Sequence, residues 1–330
     1  MQANEAMIKT GIVKSSGQQQ ARWRGYLLVL LAGSLWATLG LFFRYLDRYK
    51  IPPETIALYR AGIASLALMA FWALRRPSML RLHRRDVPYF LTFGVLGVAG
   101  FFLVYIYAVK HGSVAMAAVL LYTAPIWIAL FARWRWGHPL AGARLAALVL
   151  AVAGCALVAL GSGGPLGGNL LAIVLGLGAG LGYAAYSLWS SEGLRRGYES
   201  WTVVSYSMLL GALAMLPFQS IDGLWWSITT PAVWPALLGV GLVSTLLAPI
   251  CYTAGIRRIG APTASIVATV EPVIAAMLAW AILGEALTPE QIAGGLSILA
   301  AIIILARSGE KEKETDFPEE RMITKRRKST

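Results

Sequence analysis

Residues 123–140 read TAPIWIALFARWRWGHPL, and residues 270–287 read VEPVIAAMLAWAILGEAL. Setting Pro125 on Pro272 places the two stretches 147 positions apart. The same offset, without a gap, pairs Ala37 with Ala184, Tyr59 with Tyr206, Pro88 with Pro235, Gly94 with Gly241, Tyr105 with Tyr252 and Leu140 with Leu287. Scattered identities are cheap in so biased a composition; an ungapped register linking most of one half to the other is not. The sequence is therefore read as an internal duplication.

Working outward from that pair, the rest of the chain is as apolar as they are. Of 330 residues 57% are hydrophobic and 14% charged, with a mean hydropathy of +0.63, whereas soluble domains carry about 25% charged residues. That surplus excludes a soluble enzyme. A membrane-crossing helix needs about 20 mostly apolar residues, and such runs are expected near 25–46, 55–74, 88–109, 114–134, 144–161, 169–189, 201–218, 233–254, 262–283 and 290–306. The sequence predicts an all-α integral membrane protein of ten transmembrane helices. Its expected parts are an N-terminal cytoplasmic segment (1–24), a first five-helix repeat (25–161), a second (169–306) and a disordered cytoplasmic tail (307–330). The tail's KRRK cluster at 325–328 reads as a solvated topology signal, with contact to anionic lipid as the alternative.

The formal charge of +13 would suggest nucleic acid in a soluble domain. Here 24 of the 29 basic residues fall at the N-terminus, in alternate loops and in the tail. Among them are Arg75, Arg76, Arg81, Arg84 and Arg85 after the second span, and Arg257 and Arg258 after the eighth. Only Arg44, Arg48, Lys50 and Lys110 fall on the other side, and Arg60 lies within a span. Basic residues concentrate on cytoplasmic loops, so both termini are expected in the cytoplasm and the charge reports topology in a cell membrane, not a nucleic-acid partner.

Five spans per repeat is an odd number, so the two repeats must cross the membrane in opposite senses. Inverted repeats build secondary transporters with a substrate site near the bilayer midplane, often at matched helix interruptions. Pro125 and Pro272 are such a matched pair, each removing a helical hydrogen bond, and are expected to mark helix breaks lining the cavity.

The segment AGIRRIGAPTASIVATVEPVIAAMLAWAILGEALTPEQIAGG (254–295), together with the ten-span, twice-five layout, resembles the EamA family of the drug/metabolite transporter superfamily over residues 25–306. The resemblance implies a carrier of small metabolites, often an exporter of amino acids or related compounds. One departure stands out: the offset puts His138 opposite Glu285, where the family usually has Glu in the first repeat as well.

Glu271 is the only carboxylate well inside a span. It lies about nine residues into its helix, hence roughly 14 Å from the cytoplasmic edge. A charge at such depth costs at least about 2.5–3.5 kcal/mol on insertion scales, which makes Glu271 a candidate proton carrier. The alternative is a neutral carboxyl bonded to backbone freed by Pro272. Arg60, about six residues from the outer edge, has three readings: snorkelling to headgroups, pairing with Glu271, or holding a substrate carboxylate. Trp36, Tyr105, Tyr122, Tyr183 and Tyr252 sit deep enough to line a cavity, ring packing being the alternative for any one of them. The glycine runs 94–100 and 176–182 suit close helix packing.

No phosphate loop, no G-x-S-x-G and no cluster of metal ligands is present in the sequence, so neither cofactor, metal nor enzymatic activity is expected. Glu285, just before Thr288-Pro289, is expected to act locally at the start of the tenth helix. The expected partners are a small-molecule metabolite, protons and the lipid bilayer. The leading function is secondary active export by alternating access. A facilitative channel, an exporter of cationic drugs and a non-transporting adaptor are the alternatives.

Overall fold

The computed structural model describes residues 2–137, 142–163 and 169–308, and among the described residues every element is a helix. Among the described residues nine helices are long and apolar enough to cross a membrane, and Val270–Leu283 adds a shorter apolar one. One of the nine, Pro231–Val267, has 37 residues. At 1.5 Å per residue it would run about 55 Å, nearly twice the ~30 Å hydrocarbon core. Gly260 breaks it, with φ 74° and ψ 156°, a left-handed backbone that glycine adopts without steric cost.

The ten spans are α1 (Gln19–Asp47, continuing a helix that begins at Gln2), α2 (Pro53–Arg75), α3 (Arg84–His111), α4 (114–136), α5 (Gly142–Gly161), α6 (Leu170–Arg195), α7 (Ser200–Phe218), α8 (231–259), α9 (261–283) and α10 (Pro289–Ser308). A short helix, Ile221–Thr229, lies between α7 and α8. His138 and the tail beyond Ser308 lie outside the described residues.

The 147-residue register is visible in three dimensions. Helix α2 starts at Pro53 and α7 at Ser200; α5 covers Gly142–Gly161 and α10 covers Pro289–Ser308. Inside α3 the hydrogen-bond ladder widens to a π-helix over Phe93–Gly100, and inside α8 over Val240–Leu247, each boundary 147 positions from its mate. Helix α4 is interrupted at Tyr122–Thr123, between Val114–Leu121 and Ala124–Trp136. Helix α9 is interrupted at Ala268–Thr269, ahead of Val270–Leu283. Pro125 and Pro272 therefore sit in the first turn of a restarted helix, where a missing N–H costs little, rather than in mid-helix.

The repeats are interleaved. Helix α1 packs on α8 and α9 of the other repeat, and α6 packs reciprocally on α3 and α4; α2 pairs with its mate α7, and α5 with its mate α10. The α5–α10 seam is glycine on glycine: a Cβ at Gly154 would lie 2.7 Å from the Gly294 carbonyl oxygen. Small residues allow such backbone approach. The glycine runs act likewise, a Cβ at Gly94 meeting the Gly211 nitrogen at 2.9 Å and one at Gly180 meeting Thr123 Oγ1 at 2.5 Å.

Candidate functional site

Three aromatic side chains from three helices meet at the middle of the bundle. Trp36 on α1 lies edge-on to Tyr183 on α6, with centroids 6.1 Å apart at 90°, and 5.1 Å from Tyr252 on α8. Tyr183 and Tyr252 are themselves 6.1 Å apart, and Phe101 of α3 stacks on Tyr183 at 6.0 Å. Ser187 donates to the Tyr183 carbonyl at 3.0 Å, so in its 2.9 Å contact with Tyr252 the phenol is the donor.

Glu271 lies in the first turn of the restarted half of α9. Amide dipoles at a helix start favour negative charge, which offsets part of the cost of ionising a carboxylate at this depth. Its side chain is surrounded by protein yet partly accessible, so it faces an internal opening. It accepts no hydrogen bond from a described residue, the backbone around Pro272 included; its own N–H donates to the Ala268 carbonyl at 3.1 Å. Arg60 from α2, Tyr105 from α3, Tyr122 at the break of α4, Cys155 from α5 and Tyr183 from α6 all lie within electrostatic reach of it.

Arg60 points inward rather than to the headgroups. Its Nε donates to Thr245 Oγ1 at 2.9 Å, and its guanidinium lies 4.3 Å over the Phe102 ring, a cation–π contact. Thr245 belongs to the π-helical stretch of α8, whose Ser244 meets Thr38 of α1 at 2.9 Å. Arg60 and Glu271 lie within electrostatic reach of one another without closing an ion pair within 4 Å. Two ionic groups of opposite sign, each held by its own helix, thus lie in the same part of the bundle.

Trp36, Arg60, Tyr105, Tyr122, Tyr183, Tyr252 and Glu271 form this single constellation, with Pro125 and Pro272 just beyond the two helix breaks that border it. Other aromatics lie elsewhere: Tyr59 packs on Trp234 at 5.6 Å and Tyr206 donates to the Leu80 carbonyl at 2.6 Å. Glu285 does more than serve its own helix, since it bridges to Arg44 of α1 at 2.5 Å. Thr245, Phe102, Cys155 and Ser187 were not singled out from sequence, because Thr, Phe, Cys and Ser are ordinary residues in any membrane helix.

A second polar cluster ties the repeats together at the basic face. Buried Asp86, at the start of α3, accepts from Arg196 at 2.6 Å and from the Tyr198 hydroxyl at 2.6 Å. Arg257 bridges to Glu199 at 2.9 Å and donates to the Tyr198 carbonyl at 3.0 Å. Burial and the Asp86 hydrogen bond push the Tyr198 phenol above its ordinary pKa, so it stays a donor at physiological pH. Among the described residues no three His, Cys, Asp or Glu side chains gather to hold a metal.

A model of the EamA-like transporter family matches the chain twice, over residues 23–160 and 170–307. The chain belongs to the EamA-like transporter family. This EamA-like transporter is similar to an uncharacterized inner membrane transporter, YicL, of Salmonella typhimurium (28% identical, covering 86% of this chain and 95% of that one). It is similar also to an uncharacterized transporter of Archaeoglobus fulgidus (29%; 86% and 96%). A third relative is the pseudopaline exporter CntI of Pseudomonas aeruginosa (26%; 86% and 96%). A solved crystal structure superimposes with a TM-score of 0.71 at 20% identity, over 87% of this chain and 99% of the other, and shares its fold. With relatives named as transporters over nearly their whole length, this EamA-like transporter is a multi-pass membrane protein that carries small molecules, not an enzyme.

Proposed function

We propose that this EamA-like transporter is a secondary active exporter of a small zwitterionic metabolite, an amino acid or a related compound, working by alternating access with both termini in the cytoplasm. One observation carries the reading: Arg60 and Glu271 lie within electrostatic reach of each other without forming an ion pair. A zwitterion satisfies both, its carboxylate on the Arg60 guanidinium and its ammonium on Glu271. Trp36, Tyr183 and Tyr252 supply the wall against which the rest of the molecule packs. A proton on Glu271 competes with the ammonium for the same oxygen, which couples export to proton entry. The relative named as an exporter supports the direction.

Purified protein in liposomes, loaded with radiolabelled amino acids and assayed with and without a pH gradient, tests this. Saturable, gradient-driven flux of at least one amino acid is expected; flux that rises linearly with concentration indicates a channel instead. A C-terminal tag reachable on intact cells would overturn the topology. A cationic drug as cargo is the second reading, favoured by Glu271 facing three aromatic rings. It does not use Arg60, so Arg60→Leu abolishes zwitterion flux but spares flux of a drug cation.

A further inference from the structure

A guanidinium presents its N–H donors in a rigid planar fork, and the Arg60 fork is only partly used. Its Nε donates to Thr245 Oγ1 at 2.9 Å, and one face of the group lies 4.3 Å over the Phe102 ring. The two terminal Nη nitrogens make no hydrogen bond or ion pair with a described residue. Arg60 lies about 10 Å along α2 from Pro53, surrounded by protein yet partly accessible. A cation held at that depth by its stem and one face, with its terminal donors left open, is built to receive an anion.

The cradle exists on one side of the duplication only. Thr245 and its neighbour Ser244 are fully buried in the π-helical stretch of α8. Thr38 gives its own hydroxyl proton to the Leu35 carbonyl at 2.7 Å, so Ser244 is the donor in their 2.9 Å contact, which pins that stretch to α1. At the 147-residue offset the mates are Ser207 for Arg60, Val98 for Thr245, Pro249 for Phe102, Gly97 for Ser244 and Ala185 for Thr38. The mates supply neither a cation, nor an acceptor side chain at position 98, nor an aromatic face. Yet α3 forms the matching π-helical stretch with Val98 in it. Widening the ladder therefore needs no threonine; what Thr245 adds is its hold on Arg60.

We infer that Thr245 and Phe102 are positioning residues that turn the terminal fork of Arg60 toward the cargo, so that a carboxylate binds it end-on. With Nε taken by Thr245, the side edge made by Nε and one Nη is closed to a two-point contact. The two parallel bonds that a carboxylate accepts then come from both Nη nitrogens. Phe102 fixes the guanidinium plane and, through it, the plane of the carboxylate. A carboxamide in the same place sets an N–H donor against a cationic donor and is rejected. The inference rests on the assignment of Arg60 to the cargo carboxylate proposed above.

The test uses the full chain in detergent and phenylglyoxal, a reagent for the terminal nitrogens of arginine, with the Arg60 adduct followed by peptide mass spectrometry. The protecting probe is a mixture of the twenty protein L-amino acids, and the mixture of their carboxamides is the control. Amino acids are expected to slow modification of Arg60 at least tenfold and the carboxamides to leave it unchanged. In Thr245→Val, the residue α3 already carries at the mate position, the half-protecting concentration should rise at least tenfold. Thr245→Ser restores the acceptor and should return it to within twofold of wild type; Phe102→Leu should raise it at least threefold. In 15N-labelled protein the amino acids should shift the Arg60 Nη signals and leave Nε in place, the signals being assigned by their loss in Arg60→Leu. A shifted Nε means side-on contact and overturns the inference. So does a Thr245→Val protein with a lower Tm and unchanged protection, since the threonine then serves only the fold. Both results leave the carboxylate on Arg60. A wild-type Arg60 that never reacts, or that amino acids protect no better than carboxamides do, overturns that assignment and the inference together.

Discussion

Glutamine at position 271 keeps the size and the neutral hydrogen-bonding capacity of a protonated carboxyl and removes the site where a proton exchanges. Because Glu271 accepts no hydrogen bond from a described residue, the change breaks no hydrogen bond to one. Glu271→Gln should reach wild-type levels in the membrane and lose at least tenfold of its pH-driven flux, read by tracer uptake in vesicles. Equal uptake would remove the carboxylate from the mechanism. Glu271 and Arg60 were legible in the sequence because a charge inside an apolar run needs a compensating environment. Their surroundings were less so. Thr245 accepts from Arg60 across 185 positions of chain, and nothing in either residue's neighbours announces that meeting. Glu285 illustrates the same limit: its place beside a helix start suggested a local role, whereas its ion-pair partner Arg44 lies on α1.

Helices α5 and α10 touch where Gly154 meets Gly294, backbone against backbone, so the site tolerates no side chain. Gly154→Leu should separate them, destabilising the protein by about 1–3 kcal/mol, as overpacking usually does. A lower Tm in detergent would register it, with the same change at Gly62, where an added Cβ meets nothing within 4 Å, as the control. At this scale apolar runs and their Arg and Pro punctuation located all ten spans to within a few residues. The breaks in α4 and α9 were legible through Pro125 and Pro272. The π-helical stretches were not, because a widened hydrogen-bond ladder has no residue signature: Phe93–Gly100 and Val240–Leu247 read simply as apolar runs with glycine. Yet π-bulges often mark functional sites, and here the one in α8 carries the threonine that holds Arg60.

Each face of the molecule carries ionic bridges between the repeats: Asp86 with Arg196 on the basic face, Arg44 with Glu285 on the other. Under the alternating access proposed above, each opens in turn. Asp86→Asn weakens the buried bridge while the exposed one is left intact, so the basic face should open more often. A single cysteine at Tyr183 should then react faster with a thiol reagent added from that side, by about fivefold; an unchanged rate would mean the bridge only stabilises the fold. The interleaving of the repeats has one more consequence. Helix α1 finds its packing partners in the second repeat and α6 finds its own in the first, so neither set of five helices possesses an interior of its own. Each half is a unit of sequence without being a unit of folding. If the chain is cut in two after Gly163, either fragment made alone should be degraded, while the two made together should find each other in the bilayer and restore transport.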